Sequence, residues 1–141
     1  PDRIVIGSGA EYLYGLIVQL LGRDRLYAIE NPSYEKIHSV YRANGVDFDL
    51  LRLGKNGILS SELARTKASI LHISPFRSFP SGVTASASKR HEYLRWAEKG
   101  ERYIIEDDYD SEFRYKGKPI PSLQASDQNG KVIYKMCNYT R

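Results

Sequence analysis

Along the chain, compact apolar runs of strand length alternate with longer stretches in which apolar residues recur every three or four positions. The runs are "RIVI" (3–6), "RLYAIE" (25–30), "VDFDLLRL" (46–53), "SILHIS" (69–74), "RYIIE" (102–106) and "KVIY" (131–134), and each predicts a strand. Between the first two, Ala10, Leu13, Tyr14, Ile17, Leu20 and Leu21 fall at helical spacing until Gly22 ends the pattern. A second helix carries Tyr34, Ile37 and Tyr41 on one face and closes at Asn44-Gly45. Ser60 or Ser61 caps a short helix running to about Lys67. Ser86 to Lys99 reads as the clearest helix of the second half, burying Tyr93, Leu94, Trp96 and Ala97 before Gly100.

Strands separated by helices imply right-handed crossovers, so the expected fold is α/β: a mostly parallel sheet with helices on both faces. In such a sheet the ligand lies beyond the carboxyl ends of the strands. The loops expected on that edge are "GSGA", "ENPSY", "SPFRSFPSG" and "EDDYDSE".

Composition narrows the class. The 141 residues, 41% of them apolar, suit one domain spanning 1–141 with a real core. No apolar run approaches the ~20 residues of a membrane span, and the N-terminus lacks a secretion pattern; a cytoplasmic chain is expected. Cys137 stands alone, and His38, His72 and His91 lack ligand spacing, so neither a disulfide framework nor a metal site is expected. The net charge of +4 is spread along the chain rather than gathered in a stripe, which argues against nucleic-acid binding by this segment.

Two features carry candidate chemistry. "GSGA" (7–10) leading into a helix offers backbone N–H groups at the positive helix end, which suits a phosphate; a tight turn needing positive φ is the plain structural alternative. A dinucleotide reading would use Glu30, about 20 residues on, as its ribose acid, but Tyr12 occupies the place of the third glycine. The second feature is the acid run Glu106 to Glu112. Asp110 and Glu112 read as solvated loop, whereas Asp107 or Asp108, directly after the apolar strand, is expected at the inner mouth of the sheet. Burial raises a carboxyl pKa unless a cation or hydrogen bonds favour the charged form, so this acid requires a positive partner. A protonated heteroaromatic nitrogen is one, and an Asp facing a pyridinium is how proteins keep pyridoxal phosphate an effective electron sink. Tyr109, two residues beyond Asp107, would share its face and could donate to the ring's phenolic oxygen. Tyr34 could lie on a planar cofactor or belong to the core.

The segments "GSGAEYLYGLIVQLLG", "YAIENPSY", "HISPFRSFPSGVTAS", "YIIEDDYDSEFRYKGKPIPSLQ" and "KVIY" together resemble, in order and over nearly the whole chain, the aminotransferase-like domain of MocR-type regulators in the GntR superfamily. The resemblance implies the large-domain fold of fold-type-I aminotransferases and pyridoxal 5′-phosphate as cofactor. It implies that the amides of Ser8, Gly9 and Ala10 cradle the phosphate, Tyr34 stacks on the ring, Asp107 pairs with the pyridine nitrogen and Tyr109 reaches the phenolic oxygen. It further implies a homodimer, a small amino compound as effector, and DNA contact only through an N-terminal winged helix outside this sequence. An aminotransferase enzyme is the alternative.

The sequence departs from that pattern in places. Where the family ends a segment in "F-S-K", whose lysine forms the Schiff base, the chain reads "KMCNYTR", placing Arg141 at the lysine position; an arginine stays protonated and supplies no free amine. Lys135 is nearby but out of register. Arg77 and Ser78 stand where the family usually has Gln and His, and Glu11 brings a negative charge near the expected phosphate. The chain therefore reads as a central part of the aminotransferase-like domain, inactive as given.

Overall fold

The computed structural model describes residues 2–109 and 120–136. Six strands, β1 (Tyr27–Asn31), β2 (Phe48–Gly54), β3 (Gly57–Ile58), β4 (Ile70–Ile73), β5 (Tyr103–Asp108) and β6 (Val132–Met136), form one sheet in the order β3-β2-β1-β4-β5-β6. All pairings are parallel except β2 with β3. The helices are α1 (Ala10–Leu21), α2 (Glu35–Ala43), α3 (Ser60–Arg65), α4 (Ala87–Ala97) and α5 (Leu123–Ser126).

Alternation along the strands divides the core into two layers. Tyr27, Ile29, Ile70 and Ile105 pack with Tyr14, Ile17 and Val18 of α1 and with Ile37, Val40 and Tyr41 of α2. Ala28, Leu71, Ile73 and Ile104 point the other way, against Leu63 of α3, Tyr93, Trp96 and Ala97 of α4, and Leu123 of α5. Continuous burial of β4 follows from this double cover: each of its four residues is enclosed. The expected α/β sheet with helices on both faces is the fold observed.

Several local expectations are corrected. Residues 4–6 are not a strand; they find no neighbour in the sheet, and Ile4, Val5 and Ile6 lie exposed. A run of apolar residues supplies strand propensity, but a strand also needs a ladder partner. In α1 the buried stripe is Tyr14, Ile17 and Val18, while Leu20 faces solvent. In α2, Tyr34 is the N-cap residue rather than part of the buried face formed by Ile37 and Tyr41. Neither Ser60 nor Ser61 caps α3; its N-cap is Leu59. Two short elements lay beneath the periodicity signal, β3 and α5. The β3 hairpin depends on Gly57, at φ +126, where a Cβ would strike the Tyr93 hydroxyl and Lys89 at 2.6 Å. That closeness lets the Ile58 N–H donate to the Tyr93 Oη at 2.9 Å, tying the sheet edge to α4.

The strand order reverses at β1. Its connection through α2 leads outward to β2, whereas the chain then returns across it to β4 and continues to β5 and β6. The carboxyl ends of β1, β4 and β5 therefore meet near the switch point, where open α/β sheets hold ligands. No described helix is long and apolar enough to cross a membrane.

Candidate functional site

The three acids that close β5 are all buried, and each is engaged differently. Alternation sends Glu106 to the α4/α5 face, where its carboxylate accepts from the Leu123 and Gln124 N–H groups at 2.8 and 3.0 Å and caps α5. Asp108 accepts from the Tyr134 hydroxyl at 2.8 Å. Asp107 turns to the opposite face, beneath α1. Asp110 and Glu112 lie outside the described residues.

Around Asp107 four polar side chains converge from four elements. The Lys135 ammonium, directly across in the β5–β6 register, donates to Oδ1 at 2.9 Å. The His72 Nε2, from β4, lies 3.0 Å from Oδ2, and the Tyr14 hydroxyl of α1 donates to the same oxygen. Behind the imidazole, the Tyr41 hydroxyl of α2 sits 2.5 Å from Nδ1. The two imidazole nitrogens thus face a carboxylate and a hydroxyl, and the Tyr41 hydroxyl can either donate to Nδ1 or accept from it. The Lys135 ammonium also lies 3.3 Å from the Tyr14 Oη and 4.9 Å from that ring's centroid. Burial alone would push the Asp107 carboxyl up; the His72 hydrogen bond and charge, then Lys135 and Tyr14, outweigh it and hold the group down at about 2. Burial raises the Tyr41 phenol well above its ordinary value, so it remains a neutral hydroxyl.

A second buried acid sits at the end of β1. Glu30 follows Ala28 onto the α3/α4 face, where it accepts from the Ser74 N–H at 3.1 Å and from the Ser78 hydroxyl at 2.6 Å. Those bonds do not offset its burial, and the carboxyl is pushed up to about 7. This placement removes Glu30 as a ribose acid: it faces away from α1, its oxygens are engaged, and no strand precedes the "GSG" turn.

The glycine turn opens α1. Gly9, at φ +92, is the N-cap residue, no side chain caps the helix, and a Cβ built at Gly9 would meet nothing within 4 Å. The Gly9 N–H donates to the Gly7 carbonyl at 3.1 Å, and the amides that follow at the positive helix end have no side-chain cap. Glu11 does not compromise this, because its carboxylate pairs with Lys36 of α2 at 2.6 Å on the outer surface. Tyr14 lies one turn further along α1, so the helix that offers the amides also touches Asp107.

Tyr34 and Tyr109 each neighbour the 77–82 loop. Half of Tyr34 is exposed, and its ring meets Phe79 edge-on at 5.8 Å. Tyr109 lines, with Arg77, Ser78, Phe79, Pro80 and Gly82, a cleft of about 270 Å³. Arg141 lies outside the described residues. Sequence reasoning missed Tyr14, Tyr41, His72 and Lys135 as partners of Asp107. Two signals pointed to them: His72 is the polar residue inside a fully buried strand, and Lys135 follows "VIY" at the position facing Asp107. Among the described residues no cluster suits a metal ion.

Comparison with known proteins places this geometry. No family model matches the chain. The kynurenine aminotransferase of Pyrococcus horikoshii, solved with PMP, kynurenine and its product, superposes with a TM-score of 0.80 at 25% identity, over 91% of this chain and 34% of that one. The class is therefore the aminotransferase-like α/β domain. The HTH-type transcriptional regulator YhdI of Bacillus subtilis is 37% identical over 134 residues, and the rhizopine catabolism regulatory protein MocR of Rhizobium meliloti is 25% identical over 135. Each alignment covers 95% of this chain, which spans 29% and 27% of those regulators' lengths. Within the aminotransferase-like class, the chain is similar to a stretch of these HTH-type regulators, less than a third of their length.

Proposed function

We propose that this chain forms part of the pyridoxal-phosphate-binding, effector-sensing module of a MocR-type transcription regulator. The observation that carries the reading is Asp107: an ionised carboxylate held at the inner mouth of the sheet by α1, a helix whose N-terminus has no side-chain cap. A phosphate would be held by the amides of Ser8, Gly9 and Ala10, with the favourable end of the helix dipole behind it. Asp107 would face the ring nitrogen. Tyr34, half exposed and in a T-shaped contact with Phe79, would stack on the ring, and Tyr109 at the neighbouring cleft would address the phenolic oxygen. When bound, pyridoxal phosphate supplies an aldehyde that condenses with amines and a ring that withdraws electrons from them.

In the complete protein, a small amino compound would be the effector and would bind two states of a homodimer unequally, since only a differential affinity can shift their balance. DNA would be contacted by a winged helix outside this sequence. The enzyme alternative shares the fold, and fold does not decide between them; the regulator reading draws its support from the higher identity to the HTH-type relatives. A spectroscopic titration with pyridoxal 5′-phosphate tests the proposal, with phosphate-free pyridoxal and NAD as comparisons. Saturable binding that weakens at least tenfold without the phosphate is expected. Binding of NAD with no response to pyridoxal phosphate overturns it.

A further inference from the structure

One buried acid has no part in the site proposed above. Glu30 is 5% exposed, and both of its oxygens go to the loop that follows β4: Oε1 accepts from the Ser74 N–H at 3.1 Å and Oε2 from the Ser78 hydroxyl at 2.6 Å. That loop folds back on itself. The Ser78 N–H donates to the Val83 carbonyl at 2.9 Å, the Gly82 N–H to the Ser78 carbonyl at 2.7 Å and the Ala85 N–H to the Pro75 carbonyl at 2.8 Å. At its tip Phe79, Pro80, Ser81 and Gly82 are exposed while Ser78 is buried, so the Ser78 hydroxyl is the tether that draws the tip inward, and Glu30 holds the other end of it. Tyr34, four residues after Glu30, meets Phe79 in a T-shaped contact with the ring centres 5.8 Å apart. The connection from β1 to α2 therefore grips the tip twice, once by a carboxyl and once by a ring.

The tip borders the proposed ligand site through Tyr34 and through the cleft that Ser78, Phe79 and Pro80 line with Tyr109; the consequence for the ligand rests on the functional reading above. We propose that Glu30 is a positioning residue: through the Ser78 hydroxyl it keeps the 78–82 tip shut, setting Phe79 against Tyr34 at the border of that site, and the tip opens more readily once the carboxyl has lost its proton. The reason is burial without a compensating charge. Both donors on Glu30 are neutral, and Asp107, acting from β5, repels a second carboxylate. The Tyr93 phenol of α4 feels the same acid and is held protonated by its own burial. Arg77, the cation next to Ser78, is exposed on the cleft side. A carboxyl in that setting keeps its proton up to about pH 7. An open tip would hand Glu30 to water, where the charged form is no longer penalised. The shut form thus binds the proton more tightly, and closure weakens as pH rises through about 7.

Amide hydrogen exchange at Ser78 and Gly82 tests the latch without a ligand, in the wild type and in Glu30→Gln, from pH 6 to pH 8 and with the intrinsic pH dependence of exchange divided out. Wild-type protection is expected to fall about tenfold over that range and to stay level in Glu30→Gln, whose carboxamide has no proton to lose. Pyridoxal 5′-phosphate is then titrated at both ends of the range; comparing wild type with Glu30→Gln cancels the ligand's own ionisations. The wild type is expected to lose about threefold more affinity than the variant as pH rises, because only the shut form presents both rings. Ser78→Ala, which cuts the tether, is expected to bind about fivefold more weakly at pH 6. Should Ser78→Ala not fold, the Glu30→Gln comparison decides alone. Wild-type protection indifferent to pH, the same slope in Glu30→Gln, or wild-type affinity that merely tracks the variant's overturns the proposal. Absence of saturable pyridoxal phosphate binding in the wild type overturns the functional reading instead, and the exchange data still decide the latch.

Discussion

Asp107 and Glu30 are both carboxylic acids, both buried at the carboxyl end of a central strand, and their affinities for a proton are driven in opposite directions. On the α1/α2 face, Asp107 meets an ammonium, an imidazole and a phenol and stays ionised down to about pH 2. On the α3/α4 face, Glu30 meets one backbone N–H and one serine hydroxyl, and half of it is protonated at about pH 7. Burial opposes ionisation at both sites; at Asp107 the His72 hydrogen bond and charge, then the Lys135 charge and the Tyr14 hydrogen bond, reverse the outcome. The sheet thereby separates a charged site, suited to electrostatic recognition, from a neutral hydrogen-bonded one that fastens the 74–78 loop to β1.

The largest effect is expected from breaking the charged side. Asp107→Ala strands the Lys135 ammonium among buried groups and should cost about 3–5 kcal/mol in chemical denaturation. Restoring neutrality with Asp107→Ala/Lys135→Met should recover a substantial part, and equal losses in the single and double variants would show that the pair is not coupled. The sign for Asp107 is that its stabilisation is present above the ordinary carboxylate value and disappears as pH falls through about 2.

The neutral side has the reverse dependence. The folded state holds the Glu30 proton more tightly than the unfolded chain, so this contribution is full below about pH 4.5 and is lost as pH rises through about 7. At ~1.4 kcal/mol per unit, the change amounts to roughly 3 kcal/mol. Glu30→Gln, which can still accept from Ser74 and donate to Ser78, should flatten the stability profile between pH 4.5 and 7. A slope unchanged by the substitution would place the titrating group elsewhere.

Tyr34→Ala should be the mildest for the fold, within about 0.5 kcal/mol, because the ring is half exposed and makes a single T-shaped contact with Phe79 among the ring pairs of the described residues. Its effect should fall on pyridoxal phosphate affinity, measured by titration. A loss of stability larger than the loss of binding would make Tyr34 a packing residue.

Much of this arrangement was legible in the chain. The apolar strand "YIIE" pointed to Asp107 or Asp108 at the inner mouth of the sheet, and strand–helix alternation led to the doubly covered sheet. The requirement that a buried Asp107 have a positive partner was also readable; the identity of that partner was not. Lys135 lies 28 residues away and reaches Asp107 only through the pairing of β5 with β6, a tertiary choice that no local pattern encodes. "RIVI" failed for the converse reason, since its propensity is satisfied only by a neighbour the sheet does not provide. Glu30 looked like a ribose acid by spacing, but side-chain alternation turned it to the other face.

Site-resolved ¹³C NMR titration of the two carboxyl groups in one sample tests the opposition most directly. Asp107 should remain ionised to about pH 2 in the wild type and titrate distinctly higher in Lys135→Met, while Glu30 should titrate near 7 in both. Ordinary midpoints near 4 for both groups, or an Asp107 midpoint indifferent to Lys135, would contradict it.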